Sequence, residues 1–90
     1  MKEFSNLGTY LKQKRSETKH TQTSLAKKVG VHPQFVSNWE RGLCAPPSRV
    51  FKKLEKTLSL NKSKLCDVMK HDALAVILRK IYGPNQSNQK

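Results

Sequence analysis

The sequence predicts an all-α chain, a compact five-helix domain with an extra helical extension at its C-terminal end. Three observations predict it. Apolar residues recur at i, i+3 and i+4 along most of the 90 residues. Capping and turn residues (Thr21, Gly30, Pro33, Gly42, Asn61) punctuate that pattern at helix-length intervals. The length suits one small domain whose single core needs no metal or disulfide.

The elements follow in order. Met1 to Asn6 is a short lead-in, in which Phe4 either tucks against the first helix or belongs to a frayed end. Leu7, Tyr10 and Leu11 form one apolar stripe that turns charged at Lys14 and Arg15, giving a first helix from Leu7 to about Lys19. Thr21 caps a second helix over Gln22 to Val29, with Leu25, Ala26 and Val29 on one face. Gly30 then supplies a left-handed turn without a Cβ penalty, and Val31 drops between the helices. His32 caps a third helix of about residues 33 to 41, and Pro33 fits its first position, where a missing N–H costs nothing. Val36, Trp39 and Glu40 share one face of this helix, and Gly42 closes it.

Leu43 to Pro46 forms a loop, and a fourth helix starting at Pro47 or Ser48 runs to Leu58 with Val50, Phe51, Leu54 and Leu58 inward. Asn61 caps the segment from Lys62 to Tyr82, which is either one long helix or two divided at Asp72. Its apolar residues are more than one stripe can hide in so small a domain. The expected organisation is therefore a domain over residues 1–70, a C-terminal helix over 71–82, and a disordered polar tail over 83–90.

Composition narrows the function. Eighteen Lys and Arg against six Asp and Glu give a net charge of +12, which favours a polyanionic partner, nucleic acid first. No apolar run approaches the roughly 20 residues that span a bilayer, and no signal-peptide core opens the chain, so a cytoplasmic, nucleoid-associated protein is expected, without membrane contact. Cys44 and Cys66 are expected as free thiols. With His71 they lack the paired spacing that seeds a zinc site, and neither metal nor cofactor is expected. Clustered carboxylates, a nucleophile beside a base, and a glycine-rich phosphate loop are all missing, which argues against an enzyme.

The solvent face of the third helix carries Gln34, Phe35, Ser37, Asn38 and Arg41. Gln34 and Asn38 stand four apart, and each amide can pair with adenine N6 and N7 in a major groove. Phe35 either lays its ring on thymine methyls or turns inward over Trp39. His32, Ser37 and Arg41 suit backbone phosphates, although Arg41 near the helix end would also favour the helix dipole. Trp39 reads as core. Lys27 and Lys28 read as a solvated face, while Lys52 and Lys53 either extend a basic strip or are merely solvated.

The run QTSLAKKVGVHPQFVSNWERG resembles the Cro/repressor-type helix-turn-helix regulators of the xenobiotic-response-element family, and the likeness extends from Arg15 to Leu60. It implies a repressor-type DNA-binding domain in which Arg15 and Glu40 form a structural ion pair. It also implies that Gln22 grips a phosphate at its helix N-terminus and that Arg49 makes a further phosphate contact. Pro33 departs from the pattern, which often places a base-reading side chain there. The implied function is sequence-specific transcriptional regulation, repression above all, by a homodimer on an inverted-repeat operator in double-stranded DNA. Leu74, Ile77, Leu78 and Ile81 would form the dimer interface, unless this segment folds back on its own domain. A second class is an antitoxin that autoregulates its operon. In that case the apolar helix meets a protein partner such as a toxin, as it would an antirepressor. A third is a sequence-indifferent nucleoid protein.

Overall fold

A computed structural model describes residues 3–82; Met1, Lys2 and the expected disordered tail, 83–90, lie outside the described residues. The architecture is five helices: α1 Ser5–Glu17, α2 Gln22–Val29, α3 Pro33–Glu40, α4 Ser48–Leu58 and α5 Lys62–Tyr82.

α1 begins two residues before the expected Leu7, and the reason is not local. Phe4, the residue before it, offers no side-chain cap, and the first turn holds no acid. Asp72, in the middle of α5, supplies both: its carboxylate oxygens accept from the Asn6 N–H at 3.0 Å and the Leu7 N–H at 2.9 Å. A negative group at the N-terminus of a helix satisfies orphan amides and opposes the positive end of the dipole. The other end stops at Glu17 rather than Lys19. The Thr18 hydroxyl turns back to donate to the Lys14 carbonyl at 2.9 Å, and Lys19 takes a left-handed backbone, φ 61°. The exposed Glu17 carboxyl is held below its ordinary range by a hydrogen bond from Gln13 and then by Lys14.

α2 has the capping its sequence expects and a little more. Thr21 Oγ1 accepts from the Ser24 N–H, while the Ser24 hydroxyl accepts from the Thr21 N–H, a reciprocal box built with serine in the usual acidic position. Gly30 closes it at φ 79°. At α3, His32 Nδ1 accepts from the Gln34 N–H at 3.2 Å. Arg41 lies just past the last helical residue, and Gly42 turns the chain at φ 78°.

α5 is one unbroken helix of 21 residues, about 31 Å long at 1.5 Å per residue. Asp72 is therefore not a breaker. Asn61 starts the helix, with Oδ1 accepting from the Lys64 N–H, and its own N–H donates to Tyr10 Oη at 3.0 Å, tying the start of α5 to α1.

The core gathers Leu7 and Leu11 of α1, Leu25 and Val29 of α2, Val36 and Trp39 of α3, Val50, Leu54 and Leu58 of α4, and Leu65 of α5. α1 packs on α3 and α5, and α2 packs on α3 and α4. The α1–α3 crossing is close enough that a Cβ added at Gly8 would lie 2.5 Å from the Trp39 carbonyl oxygen and 2.7 Å from that of Glu40. A side chain cannot be accommodated there without moving backbone.

Beyond Leu65, α5 leans on the domain through one face only. Leu65 and Asp72 are buried and Val68, Val76 and Arg79 half-buried, whereas Leu74, Ile77, Leu78 and Ile81 are 54%, 51%, 42% and 64% exposed. At 100° per residue these four fall on a single stripe, turned away from the face that holds Asp72. The apolar surplus therefore does not fold back on its own domain. No helix among the described residues is long and apolar enough to cross a membrane.

Candidate nucleic-acid interface

Three layers hold α3 in place. Val36 and Trp39, 1% and 2% exposed, anchor its inner face. Beside them the Glu40 side chain, 4% exposed, accepts from Arg15 Nε at 2.5 Å and Nη2 at 3.2 Å, while Arg15 Nη1 donates to the His20 carbonyl at 2.9 Å. Gln22 completes the group, its Nε2 donating to Glu40 Oε1 at 2.9 Å. One carboxylate thus ties α1, the α1–α2 connection, α2 and α3 together. A carboxylate this deeply placed is costly unless paired and fully hydrogen-bonded, and here it is both.

The opposite face of α3 is left to solvent. Gln34 is exposed and Asn38 partly so, and Gln34 Nε2 donates to Asn38 Oδ1 at 3.0 Å. The pair projects outward from one helix face as a unit. With that bond in place, Gln34 Oε1 remains an acceptor and the Asn38 amide nitrogen a donor, the complement of the N6 donor and N7 acceptor on an adenine edge. Phe35 is 51% exposed, its ring presented on the outer surface while Trp39 is buried without it.

The candidate phosphate contacts surround this face. Gln22 spends one amide proton on Glu40, so its side chain is pre-oriented, while Thr21 caps the Ser24 N–H and leaves the Gln22 and Thr23 amides for an anion at the helix N-terminus. His32 accepts through Nδ1, which places the proton of the neutral ring on Nε2, and the exposed ring keeps that donor available. Ser37 is half-buried one turn on. Arg41 and Arg49 are exposed, and among the described residues neither lies within ion-pair distance of a carboxylate. Arg49 sits in the first turn of α4, which lacks both an acidic residue and a side-chain cap. A cation there opposes the dipole, an arrangement that an incoming anion would relieve.

Two functional features were not anticipated from sequence. Asp72 read as a possible helix break, although its seven-residue spacing from Leu65 already put it on the core-facing side of α5. The α4 strip extends to Lys56, which completes an i, i+3, i+4, i+7 basic series with Arg49, Lys52 and Lys53. Elsewhere, Cys44 and Cys66 are free thiols, and no cluster of His, Cys, Asp or Glu among the described residues could hold a metal ion.

Comparison with known proteins matches residues 11–65 to a family described as helix-turn-helix, of the Cro/repressor type. Multiprotein-bridging factor 1 of Debaryomyces hansenii is 34% identical over 55 residues, which are 61% of this chain and 37% of that protein. The chain thus spans well under half the length of this relative. No solved structure matches.

Proposed function

Given that the chain belongs to the Cro/repressor-type helix-turn-helix family of DNA-binding transcription regulators, we propose that it is a sequence-specific repressor that binds an inverted-repeat operator as a homodimer. The observation that carries the reading is the two-sidedness of α3. Its inner face is fixed by Trp39 and the Arg15–Glu40–Gln22 group, and its outer face presents the bonded Gln34–Asn38 pair. Each subunit places α3 in a major groove, Gln34, Asn38 and Phe35 against base edges, and Gln22, His32, Ser37, Arg41 and Arg49 at phosphates. The Leu74–Ile81 stripe joins two copies so that their reading helices lie about 34 Å apart, one duplex turn. Repression is by occupancy of the operator, a non-catalytic role at the nucleoid.

The test begins with selection from a random duplex library, expected to return an inverted repeat. On that operator Asn38→Ala should weaken binding by about 1–3 kcal/mol while leaving unrelated DNA unaffected, because it removes one arm of the bidentate base contact and frees the other from its partner. Arg41→Ala should weaken both alike and reduce the salt slope by about one unit. Equal losses for Asn38→Ala on both duplexes would remove it from the base readers.

A second reading uses the same exposed stripe on α5. There the stripe seats a protein partner, a toxin or an antirepressor, and α3 autoregulates the operon; the relative, too, is named for bridging proteins. Purification of the chain alone separates the two: a chain that stays soluble and pairs on the operator supports the repressor, and one that precipitates until a partner is supplied supports the antitoxin.

A further inference from the structure

Resting on the DNA-binding reading, we infer that α4 carries a second phosphate track, Lys52, Lys53 and Lys56, that engages duplex backbone beyond the contacts of Arg41 and Arg49. Together with Arg49 these residues occupy positions i, i+3, i+4 and i+7 of one helix, so all four cations fall on a single stripe, and all four are exposed. The opposite face is the one that packs: Val50, Leu54 and Leu58 are buried there. Among the described residues, none of the four lies within 4.0 Å of a carboxylate, and Glu55, the one acid of α4, lies off the stripe. Like charges at i+3 and i+4 repel, so the unliganded stripe works against its own helix and is relieved by a polyanion.

Its position selects which polyanion. The Lys53 ammonium lies 3.9 Å from where a Cβ would stand on Gly30, the residue that turns the chain from α2 into α3. Gly30 is two residues from His32, the cap of the reading helix, and Lys27 and Lys28 on the last turn of α2 are exposed on the approach to it. Lys53, one turn along the stripe from Arg49, therefore stands at the flank of the helix end that carries Gln34. A rod of phosphates already engaged at Arg49 passes this flank, whereas an acidic protein surface has no comparable continuity with the groove.

The experiment compares the full chain with the triple variant Lys52→Gln/Lys53→Gln/Lys56→Gln on the selected operator and on unrelated duplex, across a salt series. Each phosphate neutralised contributes about 0.9 to the slope of log K against log salt, so the variant's slope should fall by about 2.7 on both DNAs. The ratio of specific to unrelated binding should be unchanged, and the variant should melt no lower than the wild type. A charge-matched control, Lys62→Gln/Lys64→Gln/Lys70→Gln on α5, should shift the slope by less than one unit. A slope that stays within one unit of wild type for the α4 variant, or an equal shift for the α5 control, overturns the track. The first result leaves the stripe a solvated face off the DNA, and the second reduces it to net charge. The same series isolates the underlying reading. If Asn38→Ala still loses the operator selectively, only the track has failed; if the wild type shows no DNA binding, the reading on which it rests has failed.

Discussion

Replacing Asp72 with alanine should destabilise the domain far more than an acid-to-alanine change on a helix surface. The residue is 5% exposed, and its two oxygens hold the Asn6 and Leu7 amides at 3.0 and 2.9 Å, the second of these bonds buried. Alanine leaves two donors without acceptors at the end of a helix that has no side-chain cap of its own. An unsatisfied buried donor costs about 1–3 kcal/mol, and a lost N-cap about 0.5–2 kcal/mol. The two descriptions overlap, and water reaches the more open Asn6 amide, so the expected loss is about 2–4 kcal/mol. In a domain of this size that lowers the melting temperature by roughly 8–32 °C. Thermal and urea unfolding followed by circular dichroism measure it. Asp72→Asn, which keeps one acceptor oxygen and loses the charge, should fall between wild type and alanine. A loss within about 0.5 kcal/mol for Asp72→Ala, the range of neutral surface changes, would refute the cap.

Two further predictions follow from the same packing. Arg15→Ala leaves the Glu40 carboxylate, 4% exposed, with Gln22 as its remaining side-chain donor, and should cost about 3–5 kcal/mol, as breaking one side of a buried pair does; an unchanged melting temperature would show that water serves Glu40 equally well. On α5, each of the four stripe residues has about half of its side chain left to bury, worth about 1 kcal/mol apiece, so eight in a dimer give about 8 kcal/mol. Association costs of 4–15 kcal/mol leave at most about 4 kcal/mol of this, so self-association of the free chain is expected to be millimolar or weaker, and in the proposed dimer it is completed by paired half-sites on DNA. Ile77→Lys should therefore sediment as a monomer at concentrations where the wild type begins to pair, and should lose cooperative operator binding. Identical sedimentation at every concentration would place the contact elsewhere.

What the sequence disclosed was whatever a few neighbouring residues decide among themselves. Thr21 with Ser24, Gly30, and His32 with Pro33 each set a helix end within three or four positions, and α2 and α3 start where those signals put them. The four-residue spacing of Gln34 and Asn38 similarly contains their mutual hydrogen bond. The start of α1 was not legible, because its cap comes from 65 and 66 residues away. The same distance explains why Asp72 looked ambiguous: aspartate is a poor helix former by local propensity, and only the tertiary bonds to α1 make it a structural residue of α5. Gln22 shows the same limit, since sequence places it at the N-terminus of α2 but does not reveal that Glu40, 18 residues on, holds its amide.

These long-range contacts define how a change at α5 would reach α3. α5 packs on α1, and α1 packs on α3. The first turn of α1 is where the two contacts meet. Asp72 grips its amides from one side. From the other, the Phe4 N–H donates to the Gly42 carbonyl at 3.1 Å, and Gly8 lies directly against the Trp39 and Glu40 carbonyls. No flexible side chain intervenes at Gly8, so a displacement of that turn is a displacement of the C-terminal end of α3. In the proposed dimer, a half-site spacing altered by one base pair shifts one reading helix by about 3.4 Å and rotates it by about 35° relative to the other. The α1–α3 contact cannot absorb such a change, because it is backbone against backbone. The adjustment falls instead on the α5 stripe, whose aliphatic side chains can re-register at little cost. In the proposed dimer, tolerance of operator spacing is accordingly expected to depend on Leu74, Ile77, Leu78 and Ile81, and base selectivity on α3.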